Sequence, residues 1–174
     1  MLAFTRAAIA VISGLALAPS ALAAAQTATA QIKNAAGADI GIVTFTEAAA
    51  GVLIKFELKG LPPGPHGVHV HETGSCEGDF TSAGAIFNPL GAQHGFYNDE
   101  GPMAGDLPNI FANADGTAVA EVLSPFLALT KDVEDGLFDS NGSALVLFDK
   151  ADDHLTDPEG DAGTRLACGV ITLK

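Results

Sequence analysis

Beyond residue 25 the chain sets apolar against polar side chains at a period of two, the pattern of half-buried strands rather than helices. Residues 26–33 alternate Ala and Ile with polar side chains, 34–37 form a turn, and 39–47 set Ile40, Ile42 and Thr44 against Gly41, Val43 and Phe45. Gly51 opens a third run, 52–58, carrying Ile54 and Phe56, and Gly60-Leu61-Pro62-Pro63-Gly64-Pro65 breaks the pattern before a fourth run at 66–72. Later runs fall at 109–112, 117–123, 143–148 and 165–173, with the tight turn Asn113-Ala114-Asp115-Gly116 between the first two. Helical periodicity never exceeds two turns, and the acidic stretch 130–136 is the one candidate for a short helix. Eight such strands predict an all-β antiparallel Greek-key barrel or sandwich. Two long segments without periodicity, about 73–108 and 149–164, are expected to be functional loops.

Residues 1–25 read differently. Arg6 precedes an apolar run over 7–18, and Ala21-Leu22-Ala23 offers a cleavage site, so this stretch predicts a secretory signal peptide. The run is too short for a permanent membrane anchor. Residues 26–174 then form one domain, exported to a periplasm or secreted. The formal net charge is −13, and loss of Arg6 makes the mature chain more negative. Nucleic acid and anionic membrane surfaces are therefore not expected partners. A metal ion or a small ligand is, and a homodimer remains open. No Lys or Arg occurs between Lys59 and Lys131, so a small anion is repelled there unless Arg165 or a bound metal reverses the field.

Candidate chemistry concentrates in His66-Gly67-Val68-His69-Val70-His71-Glu72. In a strand, residues two apart share a face, so His69 and His71 point together while Val68 and Val70 point the other way. Paired imidazoles are half of a copper or zinc site; the simpler reading is a pair of exposed strand histidines. Cys76 and Cys168, the only cysteines, are naturally assigned to one disulfide in an exported chain. Two separate buried thiols are the alternative.

These stretches resemble the copper/zinc superoxide dismutases of secreted bacterial type. The matching segments are the histidine run, Ser82-Ala83-Gly84 with Phe87-Asn88-Pro89, His94-Gly95, Gly105-Asp106-Leu107-Pro108-Asn109, Lys150-Ala151-Asp152-Asp153, and Gly163-Thr164-Arg165-Leu166-Ala167-Cys168-Gly169-Val170-Ile171. They occur in family order over nearly the whole mature chain. The resemblance implies an eight-stranded Greek-key β-barrel with metals on its outer wall under the two long loops. It implies a Cys76–Cys168 disulfide, Arg165 as the catalytic cation guiding superoxide, and His66 as a structural histidine.

The family binds copper through four histidines and zinc through three histidines and an aspartate, with one histidine shared. On that pattern His69 and His71 remain for copper, and His94 and Asp106 for zinc. Ile86, Met103 and Phe148 stand at replaced ligand positions, Ile86 at the bridging one. Two imidazoles hold Cu(I) in low coordination but do not supply the three or four nitrogens that Cu(II) prefers. Isoleucine cannot take up the proton that the family's bridging imidazole accepts. A histidine and a carboxylate make only a weak zinc site. Met103 as a soft ligand, His154 near the old copper position, or Asp99 and Glu100 near His94 are candidate rescuers.

Three readings follow. One is an exported homologue with a degenerate site and little or no dismutase activity, carrying copper or another metal at His69 and His71. Another is an active dismutase with a non-standard copper site. The last is a module binding haem or a small apolar ligand in a histidine-floored apolar cleft.

Overall fold

The computed structural model describes residues 25–174 apart from Asp132. The predicted leader, residues 1–25, lies outside the described residues except for Ala25.

Nine strands are described: β1 (Thr27–Asn34), β2 (Asp39–Ala48), β3 (Gly51–Leu58), β4 (Gly64–His66), β5 (Val68–His71), β6 (Ile110–Ala112), β7 (Ala118–Ser124), β8 (Ala144–Phe148) and β9 (Arg165–Leu173). Seven form one antiparallel curled sheet in the order β5-β8-β9-β1-β2-β3-β7, and β4 pairs with β6. Because β4 runs into one edge strand, β5, and β6 turns into the other, β7, the small sheet links the two edges of the large one. The fold is all-β, as the alternation predicts.

The count differs from the expected eight because the histidine run is broken at Gly67. His66 pairs with Ile110 in the small sheet, whereas Val68 pairs with Leu147 in the large one. Between them the Gly67 N–H donates to the Lys150 carbonyl at 2.7 Å, so the second long loop captures the backbone where the strand changes sheets. A Cβ at Gly67 would lie 2.9 Å from the Cβ of Ala162, and the loop could not approach so closely over any larger residue. The inward face of β2 also changes phase: Ile40 is buried, Ile42 only partly, and Val43 and Phe45 completely. The cause is a register shift beside Ile32 and Lys33, where Gly41 takes φ +137°. The helix expected at 130–136 is absent among the described residues there, which form turns.

Two apolar clusters result. The large one fills the inside of the sheet with Ile32, Val43, Phe45, Ile54, Phe56, Val68, Val70, Leu145 and Leu147. The smaller lies on the opposite side of β8 and β9, where Phe80 and Ala83 of the first loop and Ala162 of the second pack on Val146, Phe148 and Cys168. Phe148, completely buried, contributes about 1.5–3 kcal/mol of burial just where both loops meet. A Cys76–Cys168 disulfide, Cα–Cα 5.7 Å, ties the first loop to β9.

Because this bond spans 92 residues, the double variant Cys76→Ser/Cys168→Ser is expected to unfold in urea with about 2–5 kcal/mol less stability. A loss below about 1 kcal/mol would mean that the small apolar cluster alone secures the loop.

Candidate metal centre

Strand alternation sends Val68 and Val70 into the large core and leaves His69 and His71 on the loop side, completely buried. Their ring centroids are 6.2 Å apart. His69 Nε2 lies 2.8 Å from Oδ2 of Asp152, and His71 Nδ1 lies 3.0 Å from the Gly84 carbonyl. Each acceptor takes an N–H, so the lone pair of a neutral ring falls on the other nitrogen. Those nitrogens, His69 Nδ1 and His71 Nε2, are buried and have no hydrogen-bond partner among the described residues. The Phe148 ring centroid lies 5.0 Å from that of His69 and 6.1 Å from that of His71, and the His94 ring centroid lies 5.3 Å from that of His69. Ile86, also buried, faces His71 across an isolated β-bridge.

Asp152 joins this pair to a second group. Its Oδ1 lies 3.1 Å from His94 Nε2, and His94 Nδ1 lies 2.8 Å from Oδ1 of Asp106. Asp106 Oδ2 accepts the backbone N–H groups of Gly95, at 2.8 Å, and Met103, at 2.9 Å. Burial disfavours a charged His94, but hydrogen bonds to Asp106 and Asp152, reinforced by their charges, outweigh it and push its pKa up to about 10. Burial likewise disfavours a charged Asp152, yet hydrogen bonds from His69, His94 and the His154 N–H hold it well below the carboxylate range. His71 has no carboxylate; burial first, then the charge of Arg165, lower its pKa to about 3.

One atom each from His69, His94 and Asp106 lies within 4.8 Å of the other two; His71 stands outside that set. Met103 is only partly buried and meets Asp106 through its backbone. His154 reaches Asp152 rather than Phe148: its Nδ1 lies 3.3 Å from Asp152 Oδ2, and Asn109 Nδ2 donates to its Nε2 at 3.1 Å. Asp99 and Glu100 are exposed. His66 spans the carbonyls of Phe148 and Pro62 at 2.7 and 2.8 Å. The apolar cleft expected over the histidines is a packed interior, because Ile86 and Phe148 fill it.

Sequence reading singled out neither Asp152 nor Asn109. Asn109 receives the Asp152 N–H and donates to its carbonyl, both at 2.8 Å, which fixes the carboxylate between the two histidines. The available signal was that both residues fall inside matched segments, and nothing in their spacing announced a contact.

An antiparallel curled sheet carrying a loop-covered histidine and aspartate cluster defines a class, and comparison with known proteins gives the family. The family model described as copper/zinc superoxide dismutase (SODC) matches residues 40–171. A Caulobacter vibrioides protein named superoxide dismutase [Cu-Zn] is 50% identical over 148 residues, covering 83% of this chain and 85% of its own. The superoxide dismutase-like protein YojM of Bacillus subtilis is 40% identical over 144 residues, covering 81% of this chain and 74% of its own. A crystal structure of a SOD-like protein from Bacillus subtilis superposes with TM-score 0.79 at 39% identity, covering 82% of this chain and 96% of that one. The chain belongs to the copper/zinc superoxide dismutase family.

The ionisations set opposite pH limbs in metal-free protein. An unfolded histidine titrates near 6.5 and folded His94 near 10, so its contribution is complete below about pH 6.5 and is lost as pH rises toward 10. His71, held neutral, destabilises the fold as pH falls from 6.5 toward 3, and Asp152 adds to that limb below its ordinary range. Thermal unfolding midpoints are expected to peak near pH 6.5, with an alkaline decline that flattens in His94→Gln. An unchanged decline in that variant would contradict the assignment.

Proposed function

We propose that this protein is an exported member of the family that holds one copper ion as Cu(I) between His69 and His71 and turns over superoxide little or not at all. The observation that carries this reading is the pair of buried, unpartnered nitrogens, His69 Nδ1 and His71 Nε2. Two imidazoles packed against Phe148 and Ile86 suit a soft monovalent cation and fall short of the nitrogen set that Cu(II) takes. Asp152 orients His69, and the Gly84 carbonyl orients His71. Phe148 and Ile86 keep water away and offer no third donor. When bound, copper supplies one-electron exchange in this family; here no side chain at the Ile86 position can carry the accompanying proton.

Zinc fits less well. His94 and Asp106 are already bonded to each other, and the other nitrogen of His94 is committed to Asp152. A zinc ion would have to break the first contact and would still lack ligands for a closed tetrahedron. A proton shared by His94 and Asp106 serves there instead. Haem finds no support in a filled interior. The Cys76–Cys168 bond and the bacterial copper/zinc relatives point to a periplasmic or secreted protein.

Titration with Cu(I) against a chromophoric chelator is expected to give one tight site per chain, with affinity reduced about 100-fold or more in His69→Ala and in His71→Ala. Superoxide should decay no faster with the loaded protein than with the doubly substituted protein and equal copper. Unchanged copper stoichiometry in the variants would remove the site. Decay approaching the diffusional ceiling of about 10⁸–10⁹ M⁻¹s⁻¹ would favour an active dismutase instead.

A further inference from the structure

Arg165 is the only arginine beyond residue 6, and it adjoins the histidine pair. Its Nη2 donates to the Gly84 carbonyl at 2.9 Å, the same oxygen that accepts the His71 Nδ1–H. Nη1 donates to the Phe80 carbonyl at 2.9 Å. The second Nη2 hydrogen goes to Oε1 of Glu159 at 2.5 Å. The two side chains are 15% and 27% exposed, so solvent screens the pair less than one on the open surface.

The loop fixes where Glu159 lies. Its base is closed by Asp149 and Thr164, whose backbones bond at 2.9 Å, and by the Lys150 N–H on the Ala162 carbonyl at 3.0 Å. The Thr164 N–H also donates to the Asp149 side chain at 2.7 Å. At the tip, Gly160 N–H donates to the Thr156 carbonyl and Ala162 N–H to the Glu159 carbonyl. Asp157 and Asp161 line the same surface hollow as Glu159, against one lysine, Lys150. Glu159, the partner of Arg165, therefore sits among further carboxylates that repel anions from this surface.

We infer that Glu159 is a latch that occupies Arg165 and keeps small inorganic anions off its guanidinium, beside the histidine pair. The carboxylates around Arg165 then favour cations over anions at the surface beside a copper-loaded histidine pair. That consequence rests on the copper reading, whereas the latch is a property of the metal-free chain and is tested there.

Phenylglyoxal modifies arginine side chains, and in the mature chain it can report only Arg165. Metal-free protein lacking the leader is labelled with and without sodium azide, and adducts are counted by mass spectrometry. Labelling is expected to be about ten-fold faster in Glu159→Gln than in the unsubstituted protein, and azide should slow the variant alone. Glu57→Gln, which removes the exposed partner of Lys55, should label like the unsubstituted protein. Equal rates with and without Glu159, or azide protection already present in the unsubstituted protein, would overturn the latch. If Glu159→Gln loses its fold by circular dichroism, Glu159→Asp is measured in the same way, with an intermediate rate supporting the latch and an unchanged rate overturning it. Since no copper is present, a failed latch leaves the copper reading standing, and failed copper binding leaves the labelling result intact.

Discussion

A single buried carboxylate, Asp152, holds the centre together. Left alone in that interior it would be driven to protonate, because desolvation disfavours its charge. It remains ionised because His69 and His94 meet its two oxygens and the His154 N–H adds a third bond at 2.6 Å. In return it fixes the ring orientation of both histidines, which arrive from β5 and from the first long loop, while Asp152 itself comes from the second. Three distant segments are thus joined through one side chain, and the lone pair of a neutral His69 falls on its unpartnered Nδ1.

Around that polar axis the interior is apolar. Phe148, Val146, Ala162, Phe80 and Ala83 form a continuous cluster beneath the two loops, so side-chain burial and the disulfide secure the loops on the sheet. Charge follows the same division. His94 is balanced by two carboxylates, His71 stays neutral beside Arg165, and Arg165 is matched by Glu159. Among the described residues, His69 Nδ1, His71 Nε2 and His154 Nδ1 are the buried side-chain nitrogens left without a hydrogen-bond partner.

Much of this could be read from the sequence, and the remainder could not for identifiable reasons. Alternation along 68–71 was enough to separate the histidine face from the valine face, since a period of two admits only one such division. The second cysteine pointed to the disulfide for a compartment-level reason. Asp152 lies 83 residues from His69 and is one of 21 acidic residues, so no local pattern distinguishes it. The break at Gly67 depends on a loop carbonyl arriving from residue 150, and the phase change in β2 on a bulge, neither of which alternation records. Glu159 likewise reads as ordinary loop acidity until its carboxylate is seen against Arg165. The expected cleft is absent among the described residues because Ile86 and Phe148, both buried, pack against the histidines and leave no open space beside them.

Absorption spectroscopy at the copper K-edge, on protein loaded in solution and then exposed to air, addresses the coordination directly. A Cu(I) edge with two nitrogen scatterers, both assignable to imidazole by their outer-shell scattering, is expected. An edge that converts to Cu(II) with three or four nitrogens in the first shell would contradict a two-histidine centre.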